Sequence, residues 1–129
     1  MNLEFETNFV VMPADCNAYF PMIFGGAFFS KMDLCAAACV ARLLRDSECD
    51  TAVTYKFTGA FHAPTELGDL IFLRAEVKEL RHKAIRVEVR AHRERRRSPD
   101  RDFVASAEFV FVSRKDGRYH PHGLKMPEE

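Results

Sequence analysis

Phe24-Gly25-Gly26 stands where a loop of polar and aromatic residues gives way to a helical pattern. Glycines at a helix start leave the backbone bare to a ligand, and the N–H groups there, unpaired within the helix, attract negative charge. In acyl transfer that charge is the oxyanion of a tetrahedral intermediate. A tight turn also selects adjacent glycines, and taken alone the pair favours the turn. Asp33 is the sharper feature, because it interrupts the apolar stretch Ala27-Phe28-Phe29-Ser30-Lys31-Met32-Asp33-Leu34-Cys35-Ala36. An ionised carboxylate among such residues is costly unless it is paired or hydrogen-bonded. Lys31 or a neighbouring strand could supply the partner. A poorly solvated carboxylate equally suits a general base, which is the preferred reading.

Asn17 lies in the loop that leads to the glycine pair, where capping a turn is the commoner fate of Asn and holding a water or a carbonyl is the functional one. Asp15 has the same two readings and is the reserve carboxylate. Gly26 and Asp33 are seven residues apart, so on one helix they lie about 10 Å apart on nearly the same face. One acyl carbon needs an oxyanion donor and a base each within about 3 Å. Two such groups from one chain cannot both reach it. If both act, they belong to different subunits and the site lies at a dimer interface.

The elements that must position these groups follow from periodicity. Apolar residues at 28, 32, 35, 39 and 43, and again at 29, 36, 40 and 44, predict a helix from about Gly25 to Arg45 that is apolar over most of its circumference, hence central and buried. Leu3 to Met12 reads as a strand before it. After it the period falls to two: Val53, Tyr55 and Phe57; Ile71, Leu73, Ala75 and Val77; Ile85, Val87, Val89 and Ala91; and Phe103 through Phe111 each alternate with other residues. Gly59 breaks the first of these runs and suggests a bulge. Residues 61–69 read as a connection. A helix this apolar is covered only if an antiparallel sheet curls around it, with Ala36-Ala37-Ala38 permitting close approach, so the expected class is α+β. One domain, 1–129, is expected, with a loosely ordered tail over 118–129.

Composition narrows the function. Lys plus Arg and Asp plus Glu are 19 each, so the net charge of zero gives no pull toward nucleic acid. The opening residues are acidic and lack the pattern of a secretory signal, and Lys31 and Asp33 interrupt the longest apolar run, so a cytoplasmic protein with free thiols and no membrane contact is expected. Cys35 and Cys39 share a helical face, but no His or second Cys pair stands near them in sequence, so buried structural thiols are expected and no metal. Twelve Phe and no Trp suit a dry core, with an apolar channel as the rarer alternative. The basic run Arg93–Arg101 reads as a solvated hairpin tip or, more sharply, as a contact for nucleotide phosphates, a role His82-Lys83 could share.

Together, Met12-Pro13-Ala14-Asp15-Cys16-Asn17, Ile23-Phe24-Gly25-Gly26 and Lys31-Met32-Asp33-Leu34 resemble the bacterial acyl-CoA thioesterases of the hot-dog superfamily, as does Phe61-His62-Ala63-Pro64 followed by Gly68-Asp69. The resemblance spans about Val10 to Gly117. It implies a hot-dog fold, one long central helix wrapped by a five- to six-stranded antiparallel sheet, and hydrolysis of acyl-CoA to free acid and coenzyme A. Asp33 would be base or nucleophile, Asn17 would position water or carbonyl, and the Gly26 N–H would hold the oxyanion. Phe24, Gly25, Phe61, His62, His82, Lys83 and Ala84 would contact the substrate. No cofactor beyond the substrate's coenzyme A is implied, and dimers would pair into tetramers or hexamers. The chain departs from the family pattern in the loop from Asn17 to Phe24, which is one residue longer and lacks a glycine, and at Leu80–Ala84, which lacks the usual glycine and Ser/Thr pair. The alternative is a non-catalytic acyl-CoA binding protein on the same fold. A hot-dog dehydratase or hydratase is disfavoured, because no histidine lies before residue 62 to serve near the helix start.

Overall fold

The computed structural model describes residues 1–95 and 97–128. Strand β1 (Glu4–Val10) leads through a short 3-10 turn (Pro13–Asp15) to helix α1 (Gly25–Leu43), which ends in a second 3-10 turn (Leu44–Asp46). Then come β2 (Thr51–Phe61), β3 (Leu70–Arg81), β4 (Ala84–Glu94), β5 (Arg101–Lys115) and the two-residue β6 (Arg118–Tyr119). All pair antiparallel in one sheet of order β1-β3-β4-β5-β2, with β6 on β5. The expected helix and the four strands after it are present, in the expected α+β arrangement.

The alternation of each strand decides what faces the helix. Ile71, Leu73, Ala75 and Val77 of β3, Ile85, Val87, Val89 and Ala91 of β4, and Ala105, Ala107, Phe109 and Phe111 of β5 are all buried. They pack on Phe28, Met32, Cys35, Ala36, Cys39, Val40 and Leu43 of α1, whose spacing marks one helical face. The opposite face is not covered by its own chain: Leu34 is 70% exposed. The sequence pattern therefore overstated the burial of α1 within one copy, since a single sheet wraps only one side of it.

Three further expectations change. The bulge in β2 falls at Tyr55, where the register with β5 shifts between Thr54 and Lys56, and not at Gly59. Gly59 pairs regularly with Ala107, and its lack of a side chain serves close approach: an added Cβ would sit 3.2 Å from the Ser106 carbonyl oxygen and 3.3 Å from Ala107 Cβ. Phe61 belongs to the end of β2 rather than to the connection. The tail expected to be loose is docked as far as Leu124. Buried His122 donates its backbone N–H to the His82 carbonyl, its own carbonyl accepts from Ser47 Oγ at 2.7 Å, and its Nδ1 accepts from Leu124 N–H at 3.0 Å. Glu129, the last residue of that tail, lies outside the described residues.

Candidate functional site

The loop before α1 is stitched from both sides, which fixes the helix start. Phe24 N–H donates to the Asp15 carbonyl and Ile23 N–H to the Thr65 carbonyl, each at 3.1 Å. Asp15 itself is used up in this work. Its carboxylate accepts from Met12 N–H at 3.0 Å and pairs with Lys31 of α1 at 3.5 Å. Phe24 caps the helix without a side-chain hydrogen bond. Among the described residues the N–H groups of Gly25 and Gly26 find no acceptor, whereas Ala27 and Phe28 already bond back to Phe24. The first turn therefore presents two bare donors at the positive end of a 19-residue helix.

A cavity of about 290 Å³ opens beside these donors, lined by Ile23, Gly25, Phe28, Phe61, His62 and residues 63–65. Three of the residues expected to contact substrate, Gly25, Phe61 and His62, thus share one cavity. Phe24 does not line it; its ring lies over Gly26, 3.3 Å from where a Cβ would be. His62 stacks on Phe103 with ring centroids 4.8 Å apart, and its Nε2 is 3.3 Å from Ser106 Oγ.

Asp33 lies two turns further along α1, half-buried, and accepts a hydrogen bond from Thr54 Oγ1 at 3.3 Å. Its partner is therefore a strand residue and not Lys31, which is bound to Asp15. Thr54 is the residue that sequence reasoning passed over. Asn17 has taken the ordinary role of its type, its Oδ1 accepting from Tyr19 N–H at 2.9 Å to close a turn. Tyr19 and Phe20 in that turn are exposed and line none of the cavity beside Gly25.

His82 and Lys83 form the β3–β4 turn and Ala84 opens β4; His82 adopts a left-handed φ of 37°. The strand registers put this turn at the far end of the sheet: Ala84 pairs with Val112, while Phe61, beside the cavity, pairs with Ala105. Within one chain the turn and the glycine pair are not brought together. The basic run also divides. Arg93 is turned inward, its side chain only 6% exposed, beside Asp69 at 3.8 Å and Asp102 at 3.3 Å, and it donates to the Pro64 carbonyl. Arg101 pairs with Glu94 at 3.0 Å and lies 3.7 Å over the Phe72 ring, and Arg95 faces Asp102. Arg96 lies outside the described residues.

Cys35 and Cys39 are buried side by side on α1, and burial is the main cause that pushes their thiols up, to about 12 and about 11. They are inert structural groups at neutral pH. Among the described residues no group of three or more His, Cys, Asp or Glu is placed to hold a metal ion, and no helix is long and apolar enough to cross a membrane.

The free edge of β2 completes the picture. It is an eleven-residue strand paired on one side only, with Tyr55 73%, Phe57 57% and Phe61 53% exposed. A long aromatic edge beside a half-covered helix leaves one face of the chain uncovered. The chain belongs to the thioesterase superfamily, whose family model matches residues 20–99. A hexameric hot-dog fold thioesterase of Campylobacter jejuni is 30% identical with a TM-score of 0.79, over 91% of this chain and 88% of that one. A hexameric thioesterase from Yersinia pestis is 24% identical with a TM-score of 0.81, over 92% and 93%. An acyl-CoA hydrolase from Staphylococcus aureus, solved with butyryl coenzyme A and coenzyme A, is 23% identical with a TM-score of 0.79, over 98% and 73%. Solved forms of that hydrolase include alanine variants at an aspartate, an asparagine and a threonine. Comparison with curated proteins gives no match.

Proposed function

We propose that this protein hydrolyses acyl-CoA thioesters to free acid and coenzyme A, at a site built by two copies of the chain. The observation that carries the proposal is the placement of Asp33 and the bare Gly25 and Gly26 N–H groups on one unbroken helix, seven residues apart for Gly26. At about 10 Å they cannot serve one carbon from the same chain. Antiparallel pairing of two β2 edges about a two-fold near Phe57 would set Thr54 of one copy beside Ala60 of the other. Asp33, held by Thr54, would then approach the partner's helix start. The same two-fold carries the His82–Ala84 turn of one copy toward the other's cavity, where it could meet the nucleotide end of the substrate.

In the proposed step the Gly26 N–H donates to the developing oxyanion as a water attacks the thioester carbonyl, and Asp33 takes the proton from that water. Collapse of the intermediate breaks the C–S bond, and the proton returns from Asp33 to the leaving thiolate. Direct attack by the Asp33 carboxylate would use the same geometry. Asn17 keeps its amide NH2 available to orient the water or the carbonyl, because only its Oδ1 is spent on the turn. No cofactor other than the substrate's own coenzyme A takes part. The relatives named as hexamers support assembly of the dimer into a larger oligomer, and the cytoplasm is the proposed compartment.

The test is thiol release from short, long and aromatic acyl-CoAs by the wild type and by Asp33→Asn. Turnover that falls about 10²-fold or more in the variant, with substrate affinity retained, is the expected result. Absence of turnover across the panel with acyl-CoA still bound would leave a binding protein that kept the fold.

A further inference from the structure

The last segment of the chain is tied to the β3–β4 turn. His122 is only 2% exposed. Its backbone N–H donates to the His82 carbonyl at 3.1 Å, and its Nε2 lies 3.2 Å from the Ala84 carbonyl. A carbonyl only accepts, so Nε2 carries the ring proton, which leaves Nδ1 to accept from Leu124 N–H at 3.0 Å. The Lys83 carbonyl between them accepts from Ser113 N–H of β5 at 2.8 Å. Each carbonyl from 82 to 84 therefore has a donor, and His122 supplies those of the outer two.

The turn needs such a hold. Of its two residues only His82 has a positive φ, 37°, at the first central position, where a two-residue hairpin of this kind ordinarily has glycine. A side chain disfavours that backbone. Residues 120–124 act as a strap that imposes it from outside, anchored by Ser47 Oγ, which donates to the His122 carbonyl at 2.7 Å. The turn also offers positive charge: among the described residues Lys83 forms no ion pair, whereas Lys78 of β3 faces Glu76 at 3.2 Å.

We propose that His122 is a positioning residue, which holds His82 and Lys83 in the shape that meets the phosphates of the substrate's coenzyme A. This role rests on the acyl-CoA reading of the proposed site, in which the turn of one copy faces the other's cavity. It acts on the nucleotide end of the substrate alone. A butyryl thioester of coenzyme A brings phosphates to the turn, and the same thioester of pantetheine has none to bring.

The test compares these two thioesters. His122→Ala deletes both ring contacts and should raise KM for butyryl-CoA about tenfold, as for loss of one charge-assisted contact, with kcat within about twofold. KM for butyryl-pantetheine should stay within about twofold of wild type, which a general loosening of the fold would not spare. His82→Gly makes the left-handed turn intrinsic, so adding His122→Ala to it should raise KM for butyryl-CoA by less than about twofold. Ser47→Ala removes a second anchor of the strap and should raise the same KM at least about threefold, and it decides the matter where His122→Ala does not fold. Equal losses on the two thioesters, a KM for butyryl-CoA that does not rise in the folded variant, or an undiminished effect beside His82→Gly would overturn the role. If the wild type hydrolyses neither thioester, the hydrolase reading fails alone, and calorimetry with coenzyme A decides His122. His122→Ala that binds coenzyme A as tightly as wild type, or a wild type that does not bind it, overturns the role.

Discussion

Replacing Arg93 by Met tests whether the wall of the cavity rests on a buried charge pair. Arg93 and Asp69 are 6% and 8% exposed at their side chains and lie 3.8 Å apart. Among the described residues Asp69 Oδ2 accepts one hydrogen bond, from Glu66 N–H at 2.8 Å. Methionine roughly conserves the apolar volume of the arginine stem but leaves the Asp69 carboxylate buried without a counter-charge and the Pro64 carbonyl without its donor. Breaking one partner of a buried pair costs about 3–5 kcal/mol. For a domain of this size each kcal/mol moves the midpoint by roughly 4 °C, so a fall of about 12–20 °C is expected. The assay is thermal unfolding at fixed protein concentration, because assembly makes the midpoint concentration-dependent. Arg95→Met is the control. Its partner Asp102 is 3.7 Å away and both side chains are open to water, so it should cost at most about 1 kcal/mol. Adding Asp69→Asn to Arg93→Met should recover part of the loss. A single variant that melts within about 4 °C of wild type, or a double variant with no recovery, would refute this account of Arg93.

Two other expectations follow from the same physics. Cys35 and Cys39 should resist iodoacetamide at pH 8 in the native protein and react at once in denaturant, since burial holds both thiols protonated up to about 12 and about 11. Their folded values lie above the 9.0 of an ordinary thiol in water. Their contribution is therefore intact below pH 9 and lost as pH rises toward 11–12, and Cys→Ala at both positions should flatten that alkaline decline. Phe57→Lys places a charge on the free edge of β2, and sedimentation should show it shifted toward monomer while the fold, read by circular dichroism, persists.

Much of the architecture was legible because period and parity are local properties. The helix from Gly25 and the strands around Leu73, Val87 and Phe109 follow from spacing alone. Parity also held a clue that was passed over: Arg93 continues the inward series Ile85, Val87, Val89, Ala91, which argued for burial, whereas grouping it with its charged neighbours suggested solvent. Asp116-Gly117, with φ of 52° and 77°, is the signature of a tight hairpin and marked β6 in the same way. The Asp33–Thr54 bond and the docking of His122 had no local trace, since the partners meet across 21 residues in the first case and, for His122 and Ser47, across 75 in the second. The buried Thr65 hydroxyl, without a hydrogen-bond partner among the described residues, is equally invisible in sequence, because an unmet hydrogen bond exists only once the neighbours are in place.

The shared site is tested most directly by complementation between two inactive variants. Gly26→Pro removes the donating N–H at a first-turn position where no intrahelical bond is lost and where proline is tolerated. Asp33→Asn removes the base. Each alone should hydrolyse acyl-CoA at least 10²-fold more slowly than wild type. Unfolded together in equal amounts and reassembled, half the dimers carry one chain of each kind, and each of these holds one site with both groups intact. The mixture should therefore regain about a quarter of wild-type activity by random pairing. A mixture no more active than its components, with hybrid dimers demonstrated by mass spectrometry, would contradict a site shared between two chains.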